Sequence, residues 1–240
     1  YFPKFFHPDP TVERRSGFLK PMFNNSNVLG GSYAIPYFSV LAENKDFTFT
    51  PSLFENNLQM LQNEYREVNK YSEFIANFGY VNNYKSSLSS NKNSIFSLFS
   101  KFDLDLNFEN FKNSELLASI EKVSNDTYLK VFDTHIQDND LKPIDFNNLN
   151  SEIKIVLDHE NFTFDSGIQI YENLQKKSSD RYEYVFPYYN FNTSLSDNFL
   201  NGTISLSSGG NNVLNNTNQL KSNITNDIVY YGSDLISNNG

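Results

Sequence analysis

Period-two alternation of apolar and polar residues is the feature of this chain that most constrains its fold. It is clear in residues 47–50 (FTFT) and again in residues 102–111 (FDLDLNFENF), where Phe and Leu alternate with Asp, Asn and Glu. A strand sends successive side chains to opposite faces, whereas a helix would scatter the same residues around its circumference. The pattern recurs along most of the chain, so we predict an all-β, antiparallel fold.

The spacing of these runs predicts roughly a dozen strands. Short turns are predicted at residues 43–46, 55–57 and 158–161, and longer polar connections at residues 82–93, 124–150 and 208–218. Outer-membrane barrels have short turns at one end and longer loops at the other. The longest insertion contains an apolar patch around Tyr128, Leu129, Val131 and Phe132, and we expect it to form an ordered external loop.

Two classes of β-protein fit the alternation, a soluble sandwich or barrel and a transmembrane barrel. No window approaches eighteen consecutive apolar residues, so a transmembrane helix is not predicted. The run at residues 95–108 is long for a sandwich strand and long enough for a tilted strand that crosses a membrane. Aromatic residues near strand ends also suit the interfacial belts of a barrel. A soluble β-rich enzyme or lectin-like module stays open as a further alternative.

Composition excludes several functions. The formal net charge is −9, which disfavours nucleic acid as a partner because phosphate binding needs clustered Lys and Arg. The chain has no Cys, so it contains neither disulfides nor thiolate metal sites. It begins at Tyr1 and not at Met, and we expect a segment of a longer protein, hence an incomplete barrel.

No constellation of residues points to catalysis. His7, His135 and His159 lie apart in extended or turn segments, and no third metal ligand accompanies His7 and Asp9. No nucleophile elbow and no phosphate-binding glycine loop is present. We therefore predict that the chain is not an enzyme and has no cofactor and no metal site.

The opening stretch carries a specific resemblance. The segments YFPKFFHPDPTVERRSGFLKPMF (1–23), LGGSYAIPYF (29–38) and DFTFTPSLF (46–54), followed by LQNEYR (61–66), occur in the order and approximate spacing of one family. They resemble the LPS-assembly protein family LptD (OstA), where a periplasmic β-jellyroll joins the first strands of an outer-membrane barrel. The most specific part is the RRSGFLxP core, residues 14–21.

This resemblance implies a domain division and a function. Residues 1–15 would be the last jellyroll strand and the junction, and residues 16–240 the N-terminal part of the barrel. The family delivers lipopolysaccharide (LPS) from a periplasmic bridge to the outer leaflet through a lateral gate, a seam between the first and last barrel strands. The resemblance implies four partners, namely LPS, the LptE lipoprotein plug, the LptA periplasmic bridge and outer-membrane lipid. It also implies that the protein lies in the cell outer membrane of a Gram-negative bacterium. A general porin or receptor barrel is the alternative.

Candidate site residues follow from the resemblance and from strand geometry. Pro21 and Pro36 lie 36 − 21 = 15 residues apart and would weaken pairing at the lateral gate, because proline lacks the N–H that a ladder needs. Edge protection in an ordinary sheet is the alternative explanation of these prolines. The predicted junction residues are Arg14, Arg15, Ser16 and Gly17. We expect the chain to bend at Gly17. The two arginines would either contact lipid phosphates or lie in a solvated turn. The predicted lumen-facing residues are Gln62, Glu64 and Arg66.

Overall fold

One antiparallel sheet contains all the strands of the described chain. The computed structural model describes residues 14–85, 93–136, 139–177, 180–197, 202–215 and 219–232. The strands are β1 Gly17–Phe18, β2 Met22–Ser26, β3 Gly30–Ala34, β4 Tyr37–Ala42, β5 Lys45–Phe54, β6 Gln59–Val68, β7 Ser72–Tyr84, β8 Asn93–Asp105, β9 Phe111–Val123, β10 Asn148–His159, β11 Phe162–Asn173, β12 Tyr182–Asp197, β13 Gly202–Asn215 and β14 Gln219–Tyr231. The predicted all-β, antiparallel fold is confirmed.

Neighbouring strands in the sheet are neighbours along the chain. From β5 to β14 the order is sequential, while β4 pairs with β1 and β3 pairs with both β2 and β5. The segments β1 and β2 are two halves of one strand, as are β3 and β4, so the prediction of roughly a dozen strands is confirmed. Within the described residues, β14 pairs only with β13 and β1 only with β4, and the sheet is therefore open.

The connections differ at the two ends of the sheet. At one end, here called the short-turn end, the strands are joined by residues 43–44, 69–71, 106–110 and 160–161. At the other, the long-loop end, the connections include residues 85–92, 124–147 and 174–181. The long connections lie at one end as predicted, but residues 55–58 also join strands at that end, so a short turn occurs there as well.

Two predicted boundaries are wrong. The run at residues 102–111 was expected to be one strand, but β8 ends at Asp105 and a turn follows, in which Asn107 and Asn110 have φ values of 50° and 73°. Asparagine tolerates this left-handed conformation, so it can end a strand inside an alternating pattern. Residues 208–218 were expected to be a loop, but β13 continues to Asn215 because its backbone pairs with both β12 and β14.

The two faces of the sheet have opposite polarity. The outer face, defined here by the exposed apolar side chains, includes Phe78, Phe96, Ile120, Ile153, Ile168, Ile224 and Ile228, each at least 42% exposed. The inner face carries the alternate residues, among them Thr48, Gln62, Glu64, Asn77 and Gln169. Exposed apolar side chains along one face of a sheet are the opposite of a sandwich, which buries that face.

Aromatic rings form a belt on the outer face near the short-turn end. Ring centroids lie 5.9 Å apart for Tyr65 and Phe74, 6.4 Å for Phe74 and Phe102, and 5.9 Å for Phe111 and Phe162. His159 extends the belt, with its ring stacked 4.9 Å from that of Phe162. Belts of this kind mark the interfacial level of outer-membrane barrels.

The connection between β9 and β10, residues 124–147, contains the helix α1, Tyr128–Phe132. No helix among the described residues is long and apolar enough to cross a membrane.

Candidate functional site

The three residues predicted to face a lumen share the inner face of β6. Gln62 lies opposite Gly79, Glu64 opposite Thr48, and Arg66 opposite Asp46 in the neighbouring strands. Glu64 is 5% exposed, whereas Arg66 is exposed. The structure therefore brings the three side chains together on one face, and their role in lining a water-filled passage stays a prediction.

A charged network joins two of these residues to the predicted junction. The buried carboxylate of Asp46 accepts hydrogen bonds from the Arg14 guanidinium and from Arg66 Nε, the latter at 2.8 Å. Arg66 Nε also lies 3.5 Å from Glu64 Oε1. Because a buried carboxylate is costly unless it is paired, two guanidinium groups on one Asp fix the position of Arg14 against the inner face.

The insertion at residues 124–147 packs against the inner face, so the expectation of an external loop is wrong. Tyr128, Leu129 and Phe132 are fully buried in one cluster with inner-face residues of the sheet. The sheet residues in this cluster include Met60, Val81, Ile95, Phe99 and Val123. The apolar patch seen in the sequence therefore has an apolar partner on a face that is elsewhere polar, and burying it there removes it from water.

A glycine gives the helix room to approach. A Cβ at Gly79 would collide with the hydroxyl of Tyr128 and lie 2.6 Å from Ser97 Oγ. Burial raises the pKa of Tyr128 to about 12, which keeps the phenol neutral in alkaline solution as well. The glycine and the neutral tyrosine together allow α1 to lie directly on β7 and β8.

The far end of the insertion reaches the first strands of the sheet. His135 Nε2 lies 2.9 Å from Ser32 Oγ of β3, and its ring centroid is 4.9 Å from that of Phe54 in β5. Asn139 donates to Glu64 Oε2 at 2.9 Å. Burial lowers the pKa of His135, which favours the neutral ring in this position. The insertion thus bridges the inner face from β9 to β3.

Both predicted gate prolines lie in breaks of the ladder. Pro21 lies between β1 and β2, and Pro36 lies between β3 and β4. Pairing stops at Phe18–Tyr37 and resumes at Met22–Ala34, and the one backbone hydrogen bond described across this break runs from Leu19 N to Pro36 O, at 2.8 Å. The structure places each proline where a strand is interrupted. A residue without N–H cannot return the bond, which explains the break.

A third proline, Pro51, lies at the same level in β5. Ile35 N donates to Pro51 O at 3.2 Å, and proline has no N–H to return this bond. Pro21, Pro36 and Pro51 are spaced by 36 − 21 = 15 and 51 − 36 = 15 residues. They therefore form a line of missing donors across three successive strands.

The remaining junction residues are only partly described. Ser16 Oγ accepts a hydrogen bond from Val40 N at 2.8 Å, and Arg15 is exposed. Gly17 pairs with Phe38 within β1, so the structure places this glycine in a strand and not at the expected bend. Residues 1–13, which hold most of the predicted jellyroll segment, lie outside the described part of the chain.

Sequence reasoning missed Pro51, Ser32, His135, Asn139 and Asp46. The equal spacing of the three prolines was a usable signal for Pro51, because strands joined by hairpins repeat at such intervals. The contacts of His135 and Asn139 depend on the direction in which the insertion folds, and no local pattern encodes that direction.

The fold and the polarity of its faces define the class of protein. An antiparallel sheet with an apolar outer face, a polar inner face, an aromatic belt and alternating connection lengths is a segment of an outer-membrane-type β-barrel. No protein-family model matches the chain.

Known proteins similar to this chain are LPS-assembly proteins. The chain is 38% identical over 85 residues to LPS-assembly protein LptD of Pseudomonas aeruginosa (strain UCBPP-PA14), covering 34% of the chain and 9% of that protein. It is 34% identical over 86 residues to LptD of Marinobacter nauticus, covering 34% of the chain and 11% of that protein. It is 28% identical over 183 residues to LptD of Legionella pneumophila (strain Paris), covering 68% of the chain and 20% of that protein.

These similarities confirm the resemblance to the LPS-assembly protein LptD. The chain spans about a tenth to a fifth of the length of the curated relatives it matches. These relatives are named for the assembly of LPS and not for a catalysed reaction, in agreement with the prediction that the chain is not an enzyme.

Proposed function

We propose that the chain forms part of an outer-membrane translocon that delivers LPS from a periplasmic bridge to the outer leaflet of a Gram-negative bacterium. The observation that carries this proposal is the similarity to LptD over as much as 68% of the chain, joined to a sheet whose outer face is apolar. In this proposal the exposed Phe, Leu and Ile side chains contact lipid, and the polar inner face contacts water and the sugar part of the substrate.

The first hairpin is the proposed side of the lateral gate. β1 and β2 form an edge of the sheet in the described residues, and the breaks at Pro21 and Pro36 reduce the backbone hydrogen bonds that hold this edge. Each missing ladder bond removes on the order of 1 kcal/mol. An edge weakened in this way can part from a neighbouring strand and let an acyl chain pass sideways into the membrane.

The junction and the lumen-facing residues have proposed roles in the same route. Arg14 and Arg66 share the Asp46 carboxylate while about 46% and 45% of their side chains stay exposed, so the guanidinium groups can also face the phosphates of a passing lipid. Gln62 would line the passage beside them, while Glu64, covered by Asn139 of the insertion, would hold Arg66 in place. LptA as the periplasmic bridge, LptE as the barrel plug, and the jellyroll assignment of residues 1–15 are proposed from the resemblance.

Replacing both gate prolines tests this function. In cells that depend on the protein, Pro21→Ala with Pro36→Ala supplies two backbone donors and is expected to slow the appearance of new LPS at the cell surface. Pulse-labelling of surface LPS measures the rate, and photo-crosslinking from position 23, which is exposed and lies outside both substitutions, measures contact with LPS. The matched control is Lys20→Ala with Ile35→Ala, which changes neighbouring side chains without adding a donor.

The outcomes separate the possibilities. A slower rate in the proline variant and an unchanged rate in the control support the gate. An unchanged rate and an unchanged crosslinking position in the proline variant would reject the gate assignment. Normal surface LPS after complete depletion of the protein would reject LPS delivery itself. Passage of small solutes without LPS transport would favour the general porin.

A further inference from the structure

A second region of the inner face differs from the area under the insertion. Across β10 to β13 the register aligns Lys154, Gly167, Tyr188 and Asn211 in one row. The insertion packs on an apolar cluster centred on β5 to β9, whereas this region carries tyrosines, amides and carboxylates. The difference indicates that the polar region has a task other than packing.

Two tyrosines in this region are held by one hydrogen-bond network. Tyr188 Oη donates to Glu152 Oε1 at 2.7 Å, and Gln169 Nε2 donates to the same oxygen at 2.5 Å. Tyr171 Oη donates to Gln169 Oε1 at 2.9 Å, and Lys154 Nζ lies 2.9 Å from Glu152 Oε2. Each hydroxyl proton is thereby committed to the network, which orients the rings before any ligand arrives.

Glycines and amides surround the tyrosine rings. Gly167 lies directly opposite Tyr188 in β11, and Gly209 lies opposite Asn190 in β13. A Cβ at Gly167 would lie 2.5 Å from the backbone oxygen of Ile153, so this position stays without a side chain. Tyr188, Asn190 and Gly209 line an open hollow with Tyr171, Asn211 and Asn223.

The chemistry of this hollow fits a polyhydroxylated ligand. Amide groups donate and accept hydrogen bonds with hydroxyl groups, carboxylates accept them, and tyrosine offers an apolar ring with a polar edge. Glu183 lies in the lining of the hollow, and Asp165 accepts a hydrogen bond from Asn190. The negative charges of these two carboxylates disfavour an anionic ligand such as a free phosphate. A neutral sugar surface meets both conditions.

We infer that Tyr188 and Tyr171, with Glu152, Gln169 and Asn211, form a binding site for the oligosaccharide part of a glycolipid. This inference rests on the proposed function and adds to it a defined place on the inner face where sugar residues bind during passage. The proline break and the tyrosine site lie on opposite sides of the insertion along the sheet order. Sugar binding at β10 to β13 and lipid exit at the first hairpin are thus separate steps.

The sequence offers a matched control beside the site. Tyr188 lies on the inner face, while the next residue, Tyr189, lies opposite Ser166 and Gly210 on the outer face. Replacing one or the other by Ala removes the same ring from opposite sides of β12. A further variant, Glu152→Gln, keeps the shape of the network and removes its charge.

The experiment measures binding of lipid-free oligosaccharide to the complete protein purified in detergent, by saturation-transfer NMR and titration calorimetry. The probes are the oligosaccharide released from LPS by mild acid and dextran, an unrelated neutral polysaccharide fragment. Tyr188→Ala is expected to weaken binding about tenfold, because it removes both the ring and a donor to Glu152. Tyr189→Ala is expected to leave the affinity unchanged.

Every outcome has a meaning. Binding of both probes with the Tyr188 effect supports a general sugar site, and binding of the LPS oligosaccharide alone assigns the source of the ligand. No binding by the natural protein, or equal loss in both tyrosine variants, overturns the inference. If Tyr188→Ala impairs folding, unweakened binding by a folded Tyr171→Ala variant overturns it. Surface LPS measured in the same strains tests the proposed function separately, because delivery can persist when sugar binding is lost.

Discussion

The first hairpin and the later strands of the same sheet are held in different ways. The ladder between β10 and β11 is continuous from Asn148–Asn173 to Asp158–Thr163. In the first hairpin, pairing is split into two short pieces on either side of Pro21 and Pro36. The break coincides with the two prolines of the first hairpin, and neither β10 nor β11 contains a proline.

Tertiary packing supports the region in which the ladder is weak. The insertion covers the inner face next to the first strands, with His135 against Ser32 and Phe54, while it leaves the tyrosine-bearing face of β10 to β13 open. The first region therefore depends on a distant segment of the chain for its closed form, and the later region depends on its own backbone. This teaches that the first hairpin can be loosened without unfolding the rest of the sheet.

The largest expected effect comes from removing the packing of the insertion. Phe132→Ala deletes a fully buried ring and is expected to cost about 3–5 kcal/mol of local stability. Hydrogen exchange should speed up in β2 and β3 and stay unchanged in β11 to β13, since Leu149 of β10 belongs to the same buried cluster as Phe132. Phe96→Ala, at an outer-face position that is 42% exposed, is the control. Equal loosening of both regions by Phe132→Ala would break the comparison.

A smaller effect is expected from restoring one ladder bond. Pro51→Ala provides an N–H toward Ile35 O and is expected to stabilise that contact by about 1 kcal/mol. Amide exchange of Ala34, Ile35 and Tyr37 should slow by several-fold, and Thr50→Ala, which adds no donor, should not slow it. If Pro51→Ala leaves amide exchange unchanged, the missing donor of Pro51 does not weaken the pairing of the first strands.

The smallest effect concerns pH. Burial lowers the pKa of His135 from its ordinary value of 6.5. At a pH between the lowered pKa and 6.5, the released insertion therefore binds more protons than the packed insertion. The contribution to packing is therefore complete above about pH 6.5 and declines as the pH falls toward the lowered pKa, by at most about 1.4 kcal/mol for each pH unit crossed. Exchange of residues 128–136 at pH 7.5 and 5.5 measures it. A His135→Gln variant should show no such pH dependence, and an identical dependence in that variant would exclude His135 as the cause.

The alternation of residues made the strands and their faces predictable, because the polarity at alternate positions shows which side chains share a face. Gln62, Glu64 and Arg66 were placed on one face in this way, and the structure has them there. The insertion could not be placed from the sequence. Met60, Val81 and Phe99, which pack against α1, have no local sequence pattern that distinguishes them from other apolar strand residues. The turn at residues 106–110 escaped prediction since its asparagines fit the polar positions of an alternating strand.

The polarity of the two faces also bears on how the sheet assembles. A slip of one residue between neighbouring strands exchanges every side chain across the sheet, so strands such as β8 reject an incorrect alignment by themselves. In β13, residues 207–212 (SSGGNN) are small or polar on both sides, and misalignment there meets little penalty. Errors in biogenesis should therefore concentrate at β13, which makes this strand the one most in need of outside quality control.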